Sequence, residues 1–390
     1  MLLTRKIRIK IRKQDAQKLE EQSNLCRQLY NYALRQRISA YKEDKKSLTV
    51  WEQKKELPKL KKEHPEYARV YNKYLSSTLF RLDRAFKAFF QRCNDDKRKG
   101  FPRFRGKYYW FTLTCPSMYC RRISNRILQL PQKIIVKTTE DIPENFGDIN
   151  IVKSGEKWFI TFTYEVKEKE KPLNDDIIAC DLGLRNLVSA VSTQGRIIER
   201  QHLKPSKKEL RRLDNLRSKR DKCKKSSNRW VYLTNRLRDE NREWQNRVND
   251  RLHKVSTYLT KMTERNLVIG RLRPSSMNSS NRWLNRFVHG EWRISRFREM
   301  LIYKCRREGK DFFEINEVNT TKTCCVCGTL RSMRLSDRTY RCRTCGNVMP
   351  RDINSAFNLL KRFLPGLGHI SSNGYGVLAR ARNLNTFNYV

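Results

Sequence analysis

Residues 177–187 read Ile177-Ile178-Ala179-Cys180-Asp181-Leu182-Gly183-Leu184-Arg185-Asn186-Leu187. A short apolar run closed by an acid and a glycine fits a strand buried on both faces, its last side chain projecting from a sheet end. Alone, such an aspartate is more often a turn former or helix cap than a catalyst. Its context decides. Asn266–Ile269 and Asp311–Asn316 read as two further strands, with a helix-like Glu291–Arg307 between them. Further on, Arg351-Asp352-Ile353-Asn354-Ser355-Ala356-Phe357-Asn358 sets a second acid immediately before an amphipathic helix, where N-capping is its simplest role. Strands alternating with helices define an α/β unit, with one acid on its first strand and another on its last helix.

A cysteine cluster precedes that helix. Cys324-Cys325-Val326-Cys327-Gly328 and Cys342-Arg343-Thr344-Cys345-Gly346 form two C-x-x-C pairs, with fourteen residues between Cys327 and Cys342. Two thiolate pairs on tight turns, each followed by a glycine that permits the knuckle conformation, supply four soft ligands for one zinc ion. Cys324, Cys327, Cys342 and Cys345 fill all four positions, so the zinc is expected to be structural. The other eight of the twelve cysteines, Cys325 among them, are scattered, which argues against a secreted disulfide scaffold.

Upstream, residues 4–13 alternate basic and apolar side chains, the period of a strand with one wet face. From Gln14 to Cys93 the period turns helical, through Leu25, Leu29, Tyr32 and Ala33 and again through Leu75, Leu79, Leu82, Phe86 and Phe89. The segment Lys54–Pro65 reads as a connection, and Asn94–Lys107 ends the helical module. The runs Trp110–Thr114, Ile127–Leu130, Ile149–Val152 and Trp158–Tyr164, joined by the N-terminal strand, predict a small antiparallel barrel. A polar hinge, Glu165–Asp176, leads into the second half. There Leu203–Met262 is helical and basic. Residues 201–260 hold eighteen Lys and Arg against seven Asp and Glu, and interleaved Trp230, Tyr232 and Trp244 favour nucleic-acid contact over a merely solvated face.

Composition agrees. The 390 residues carry 85 Lys and Arg against 40 Asp and Glu, a net charge of +45, and call for a polyanionic partner. With 17 Phe, 16 Tyr and 7 Trp the chain is too aromatic for a disordered basic tail. No run approaches the ~18 apolar residues of a membrane span. The start, MLLTRKIRIKIRK, lacks the apolar stretch of a secretory signal, so an intracellular nucleic-acid-handling protein is expected.

These motifs together resemble the RuvC-type, RNase H-like nuclease of transposon-encoded TnpB proteins, their eukaryotic Fanzor relatives and the type V CRISPR effectors. Leu82-Asp83-Arg84-Ala85-Phe86-Lys87-Ala88-Phe89-Phe90 with Gly100-Phe101-Pro102-Arg103-Phe104-Arg105 resembles the end of the family's recognition helices and its basic loop. The stretch from Asp181 to Leu187 is similar to the first RuvC motif, and Thr320-Thr321-Lys322-Thr323-Cys324 through Arg351-Asp352-Ile353-Asn354 to the third. The resemblance implies a β-barrel wedge domain (1–13 and 108–172) interrupted by a helical recognition domain (14–107). A RuvC domain (173–390) would follow, with a basic hairpin at 203–262 and an inserted zinc ribbon at 320–350. No role is assigned to 364–390.

One departure matters. The family's second motif carries a glutamate within Val-Ile-Glu-Asp-Leu, and here Val268-Ile269-Gly270-Arg271-Leu272 stands in its place. Fanzor proteins and some TnpB relatives have a relocated glutamate on the next strand, a position that Glu317 in Glu317-Val318-Asn319-Thr320-Thr321 matches. Neighbouring strands lie ~4.8 Å apart, within a glutamate's reach, and a glycine leaves room. Glu314 is the competitor; three positions from Glu317, it faces the opposite side of a strand.

The resemblance thus implies Asp181, Glu317 and Asp352 holding two Mg²⁺ or Mn²⁺ ions for phosphodiester hydrolysis. It further implies an omega-type guide RNA, double-stranded target DNA with a short flanking motif, and one protein per RNA. A nucleus is the expected location for a eukaryotic or viral chain, a bacterial cytoplasm or nucleoid otherwise. A nuclease-dead, RNA-guided repressor is the alternative, because of Gly270; a DNA transposase ranks third.

Overall fold

The structure, a computed structural model, describes residues 1–95, 100–107, 110–173, 176–272, 277, 280–334 and 336–364. The Gly/Asn-rich segment after Leu364 lies outside them. The chain divides into two units, Met1–Val166 and one beginning at Lys167.

In the first unit β1 (Leu2–Ile11) leads into α1 (Lys13–Asp44), and α2 (Val50–Lys55), α3 (Leu57–Glu63) and α4 (Asn72–Asn94) follow. The stretch expected as a connection is therefore mostly short helices. Thr49 caps α2 with a reciprocal Glu52 bond, and Pro58 sits in the first turn of α3, where its missing N–H costs nothing. Strands β2 (Leu113–Cys115), β3 (Arg121–Ser124), β4 (Ile127–Leu130), β5 (Ile134–Thr138), β6 (Ile149–Ser154) and β7 (Lys157–Glu165) complete the unit.

They form one antiparallel sheet with β1, in the order β2-β6-β7-β1-β5-β4-β3. Of the expected small antiparallel barrel the structure has the antiparallel sheet with its two ends unjoined: among the described residues no ladder links β2 to β3. Strand β2 stops at Pro116, which has no N–H to extend pairing, and a 3₁₀ turn at Ser117–Tyr119 follows. Along β7 Trp158, Ile160 and Phe162 are buried, and they pack in one core with the helices' Leu29, Leu75, Leu79 and Leu82. Asp83 of the quoted helix motif faces inward and pairs with Arg37 at 3.2 Å. Asn31 clasps the basic loop, donating to the Arg105 carbonyl (2.9 Å) and accepting from its N–H (2.7 Å).

The second unit has β8 (Ile177–Asp181), β9 (Asn186–Ser192), β10 (Ile197–Gln201), α5 (Lys207–Asp221), α6 (Asn228–Met262) and β11 (Asn266–Gly270). Then come α7 (Arg282–Arg286), α8 (Ile294–Arg307), β12 (Asp311–Ile315), β13 (Thr339–Arg341), β14 (Val348–Pro350) and α9 (Arg351–Phe363). The expected helix Glu291–Arg307 starts later. A π-turn occupies Phe287–Glu291, and Arg293, at φ +50°, separates it from α8.

The five-stranded sheet runs β10-β9-β8-β11-β12, with β8, β11 and β12 parallel and β8-β9-β10 antiparallel. Alternation along β8 sorts two layers. Ile178 and Cys180 join the core containing Leu252 and Leu259 of α6 and Phe297 and Leu301 of α8. Ile177 and Ala179 join that of α9, with Ile353, Phe357 and Leu360. Every residue of β8 and β11 is buried, the pattern of strands covered on both faces.

Candidate functional site

The site follows from that alternation. Asp181 has the parity of Ile177 and Ala179, so it projects from the end of β8 on the α9 side. On the neighbouring strand Ile269 lies opposite Cys180, and Val268 belongs to the α9 core, so Gly270 has the same outlook as Asp181. These positions stand at the carboxyl ends of parallel strands, where open α/β sheets place their ligands.

Gly270 is where Glu317 rests. A Cβ built on Gly270 would lie 2.5 Å from Glu317 Oε2 and 3.2 Å from its Cβ. The carboxylate therefore fills the volume that a side chain at 270 would claim. Strand β12 ends at Ile315, so Glu317 comes from the loop beyond it rather than from the strand. Glu314 goes the other way. Phe313 and Ile315 face α9, whereas Glu314 forms a two-pronged ion pair with Arg298 of α8, one prong at 2.7 Å.

Asp352 lies in the first turn of α9 and is not its cap; the cap position is Pro350, without a side-chain bond. Arg351 holds one of its oxygens at 3.1 Å. Burial, then the negative charges of Asp352 and Glu317, pushes the Asp181 carboxyl up to about 7, against a hydrogen bond from Ser355 and the positive charge of Arg351. Burial likewise raises Glu317. The structure thus gathers all three acids at one sheet end, with Asp352 and Glu317 close enough to Asp181 to oppose its ionisation. Their oxygens do not all fall within 4.8 Å of one another, unlike the cysteine ligands below.

Several residues at this site carried no distinguishing signal in the sequence. Ser355 Oγ is 2.8 Å from Asp181 Oδ1 and 2.9 Å from Thr320 Oγ1, and Thr320 also reaches the Glu317 carbonyl (2.9 Å). Asn358 donates to the carbonyls of Thr320 and Thr323, each at 2.7 Å. Asn354 donates to Thr323 (2.7 Å) and accepts from the Cys325 N–H (2.9 Å). Trp292 donates its indole N–H to the Gly183 carbonyl, fixing the turn after Asp181. The one available clue was three polar residues, Asn354, Ser355 and Asn358, on an otherwise apolar helix face. Buried without partners, such groups cost about 1–3 kcal/mol each.

The cysteine cluster assembles as the spacing implied. The Sγ atoms of Cys324, Cys327, Cys342 and Cys345 lie within 4.8 Å of one another, with Cys324–Cys345 at 3.7 Å and Cys327–Cys342 at 3.5 Å. Tetrahedral Zn–S bonds of about 2.3 Å put sulfurs about 3.8 Å apart, so four thiolates fit zinc here. Gly328 and Gly346 take φ of +78° and +71° at the two knuckles. Cys325 points away, its sulfur 3.5 Å from Met349 Sδ in the α9 core. Helix α5 presents a further feature, an open groove of about 710 Å³ lined by Lys207, Lys208, Arg211, Lys219 and, from α6, Arg236. Among the described residues none of these five has a carboxylate within 4 Å, whereas Glu209 and Glu240 are engaged by Arg247 and Arg212.

Three protein-family descriptions match parts of the chain. "Helix-turn-helix domain" covers residues 1–46, "Probable transposase" 161–281, and "Cas12f1-like, TNB domain" 295–359. A "Putative RNA-guided DNA endonuclease" from Streptomyces pristinaespiralis is 25% identical over 364 residues, 89% of this chain and 86% of that one. "Putative RNA-guided DNA endonuclease InsQ" of Escherichia coli is 25% identical over 307 residues, 73% of each. The solved "mini-RNA-guided endonuclease CRISPR-Cas_phi3" superposes with a TM-score of 0.48 at 10% identity, over 93% of this chain and 92% of that one. The chain is thus similar in part to a probable transposase of the OrfB/IS605 kind and to a Cas12f1-like domain, and along most of its length to proteins named as RNA-guided DNA endonucleases. Over residues 1–46 this chain has one strand and one 32-residue helix. No helix among the described residues is long and apolar enough to cross a membrane.

Proposed function

We propose that this chain is an RNA-guided DNA endonuclease of the Fanzor and TnpB kind, cutting target DNA at Asp181, Glu317 and Asp352. The observation that carries the reading is the Glu317 carboxylate over Gly270, on the same side of the sheet as Asp181. The strand order, with its antiparallel hairpins before two parallel strands, supports an RNase H-like, RuvC-type assignment. The naming of homologues as RNA-guided DNA endonucleases supports the activity.

Three hard carboxylates, two of which oppose the ionisation of buried Asp181, suit divalent cations such as Mg²⁺ or Mn²⁺. Asp181, Glu317 and Asp352 would hold two such ions, which when bound supply an activated water and charge compensation at the departing 3′ oxygen. The chain's own contribution is placement. Asp181 comes from a fully buried strand, Asp352 from a buried helix, and Glu317 from a loop fastened to that helix. A structural Zn²⁺ on Cys324, Cys327, Cys342 and Cys345 would hold the segment that joins the last two. A guide RNA of the omega type would select double-stranded DNA by base pairing, beside a short flanking motif, with one protein per RNA. Nuclear action in a eukaryotic or viral setting accompanies this reading.

A guide-directed DNA binder that does not cut is the second reading, favoured by Gly270 and by the Arg351 side chain on Asp352. The test is co-purification with the native transcript, then matching duplex DNA and Mg²⁺. Cleavage lost in Asp181→Ala and Glu317→Ala supports the nuclease; DNA binding without any cleavage by the wild type supports the binder.

A further inference from the structure

We infer that the hydroxyls of Thr320 and Ser355 form a positioning relay that sets Asp181 and the Glu317 loop as one unit, with the first C-x-x-C turn as its anchor. The inference rests on the nuclease reading and adds residues that the acids' own pattern does not include.

Each hydroxyl has one proton and two acceptor sites. Toward an ionised Asp181, Ser355 must donate, at 2.8 Å to Oδ1. Ser355 then has only acceptor capacity left for Thr320, 2.9 Å away, so the Thr320 proton is shared between Ser355 and the Glu317 carbonyl at 2.9 Å. The Thr320 N–H reaches that same carbonyl at 3.2 Å. Both side chains are sealed from solvent, Thr320 at 1% and Ser355 at 0% exposure, so no water can substitute for a missing hydroxyl.

The chain of contacts has a fixed end. Asn354 and Asn358 grip the carbonyls of Thr320 and Thr323, and Asn354 accepts the Cys325 N–H between two thiolates of the knuckle. Asp352, Ser355 and Asn358 are spaced three apart along α9, so one helix face meets the acid, the relay and the knuckle loop together. A side chain that rotated Asp181 would have to break the Ser355 bond, and a loop that carried Glu317 away would have to break the Thr320 bonds. These two residues therefore fix which Asp181 oxygen is left for a ligand and how far Glu317 reaches.

The asparagine clasps hold Thr320 and Thr323 by their carbonyls, so without either hydroxyl the knuckle loop stays in place and only the Glu317 and Asp181 ends are released. Thr320→Val keeps the shape and removes the hydroxyl, and Thr320→Ser keeps the hydroxyl. In guide-loaded protein, Thr320→Val and Ser355→Ala are expected to slow single-turnover cleavage about ten- to a hundred-fold and to raise the Mn²⁺ concentration needed for half the maximal rate. Calorimetric Mn²⁺ binding should weaken in parallel, while zinc content and target-DNA affinity stay at wild-type values and the melting temperature falls only by the few degrees that one buried hydrogen bond is worth. Thr320→Ser should recover most of the rate. Wild-type rates and Mn²⁺ requirement in both variants would overturn the relay, as would a rate loss accompanied by lost zinc or by loss of the cooperative unfolding transition. A wild type that binds Mn²⁺ without cutting overturns the nuclease reading alone, since the Mn²⁺ titrations of the variants still decide the relay. A wild type that does neither removes both.

Discussion

Glu317 and Gly270 occupy one volume between them: the glutamate lies where a side chain at 270 would grow, 2.5 Å from the position of a Cβ there. Strand β11 ends in a glycine that leaves empty space, and the loop two residues past the end of the adjacent strand fills it. The two positions are consequently exclusive. A side chain at one displaces the carboxylate of the other.

That exclusivity predicts a swap. Gly270→Ala should push Glu317 aside and lower cleavage about tenfold or more, since the collision includes the Glu317 Cβ as well as its flexible end. Glu317→Ala should abolish cutting, and adding Gly270→Glu to it should restore part of the rate from the original strand. A Gly270→Ala enzyme with the wild-type rate, or a double variant no better than Glu317→Ala, would show that the two do not share a role.

Glu314 makes the contrasting case. Its carboxylate is spent on Arg298, on the α8 side of the sheet. Glu314→Gln is expected to leave cleavage unchanged and to lower stability by about 1 kcal/mol or less, as for a partly exposed pair. A lost cleavage activity with an unchanged melting temperature would make Glu314 the third acid.

Much of this was legible in the chain. Apolar runs ending in Asp181 and Gly270 gave buried parallel strands because periodicity and length report burial directly. The C-x-x-C spacing specified a four-sulfur cluster because local turn geometry alone sets it. What the sequence could not convey is non-local. The polar residues of α9 look like a weak amphipathic pattern until Thr320 and Asp181 are brought against them, and Glu317, picked out by resemblance, was expected on a strand whereas it comes from the loop after β12. Asp352 looked like a cap because caps and first-turn acids share a sequence signature. Sheet closure is likewise a matter of whether two edge strands meet, and here Pro116 intervenes.

The knuckle predicts a sharp distinction among neighbouring cysteines. Cys342→Ser should release zinc, read by metal analysis of the purified protein, and loosen the β13–β14 pair, read by hydrogen exchange. Cys325→Ser, one position from a ligand, should keep a full equivalent of zinc, because its sulfur faces Met349. Zinc lost from Cys325→Ser and kept in Cys342→Ser would reverse the assignment.

Asp181 predicts a pH dependence of stability. Its carboxyl titrates near 7 when folded, against an ordinary value of 3.8, so the native state holds a proton that the unfolded chain gives up. The stability from this group is full below about pH 4 and is lost as pH rises through about 7, on the order of a few kcal/mol. In buffer free of Mg²⁺ and Mn²⁺, Asp181→Asn should flatten that decline in urea unfolding experiments. Equal slopes for the two proteins would mean that Asp181 ionises freely in the native state.

The groove on α5 predicts where part of the positive charge is used. Among the described residues Lys207, Lys208 and Arg211 line it without carboxylate partners, while Glu209 and Glu240 of the hairpin are paired with other cations. Unpaired cations in a row suit a phosphate backbone, and each lost phosphate contact lowers the slope of log affinity against log salt by about 0.7–0.9. Arg211→Glu should therefore weaken binding of the guide RNA and flatten its salt dependence. Lys254→Glu makes the same change in net charge on α6, at a lysine already paired with Asp250 at 2.7 Å, and should do neither. If both variants weaken binding equally, the attraction is a property of total charge, and the groove holds no strand.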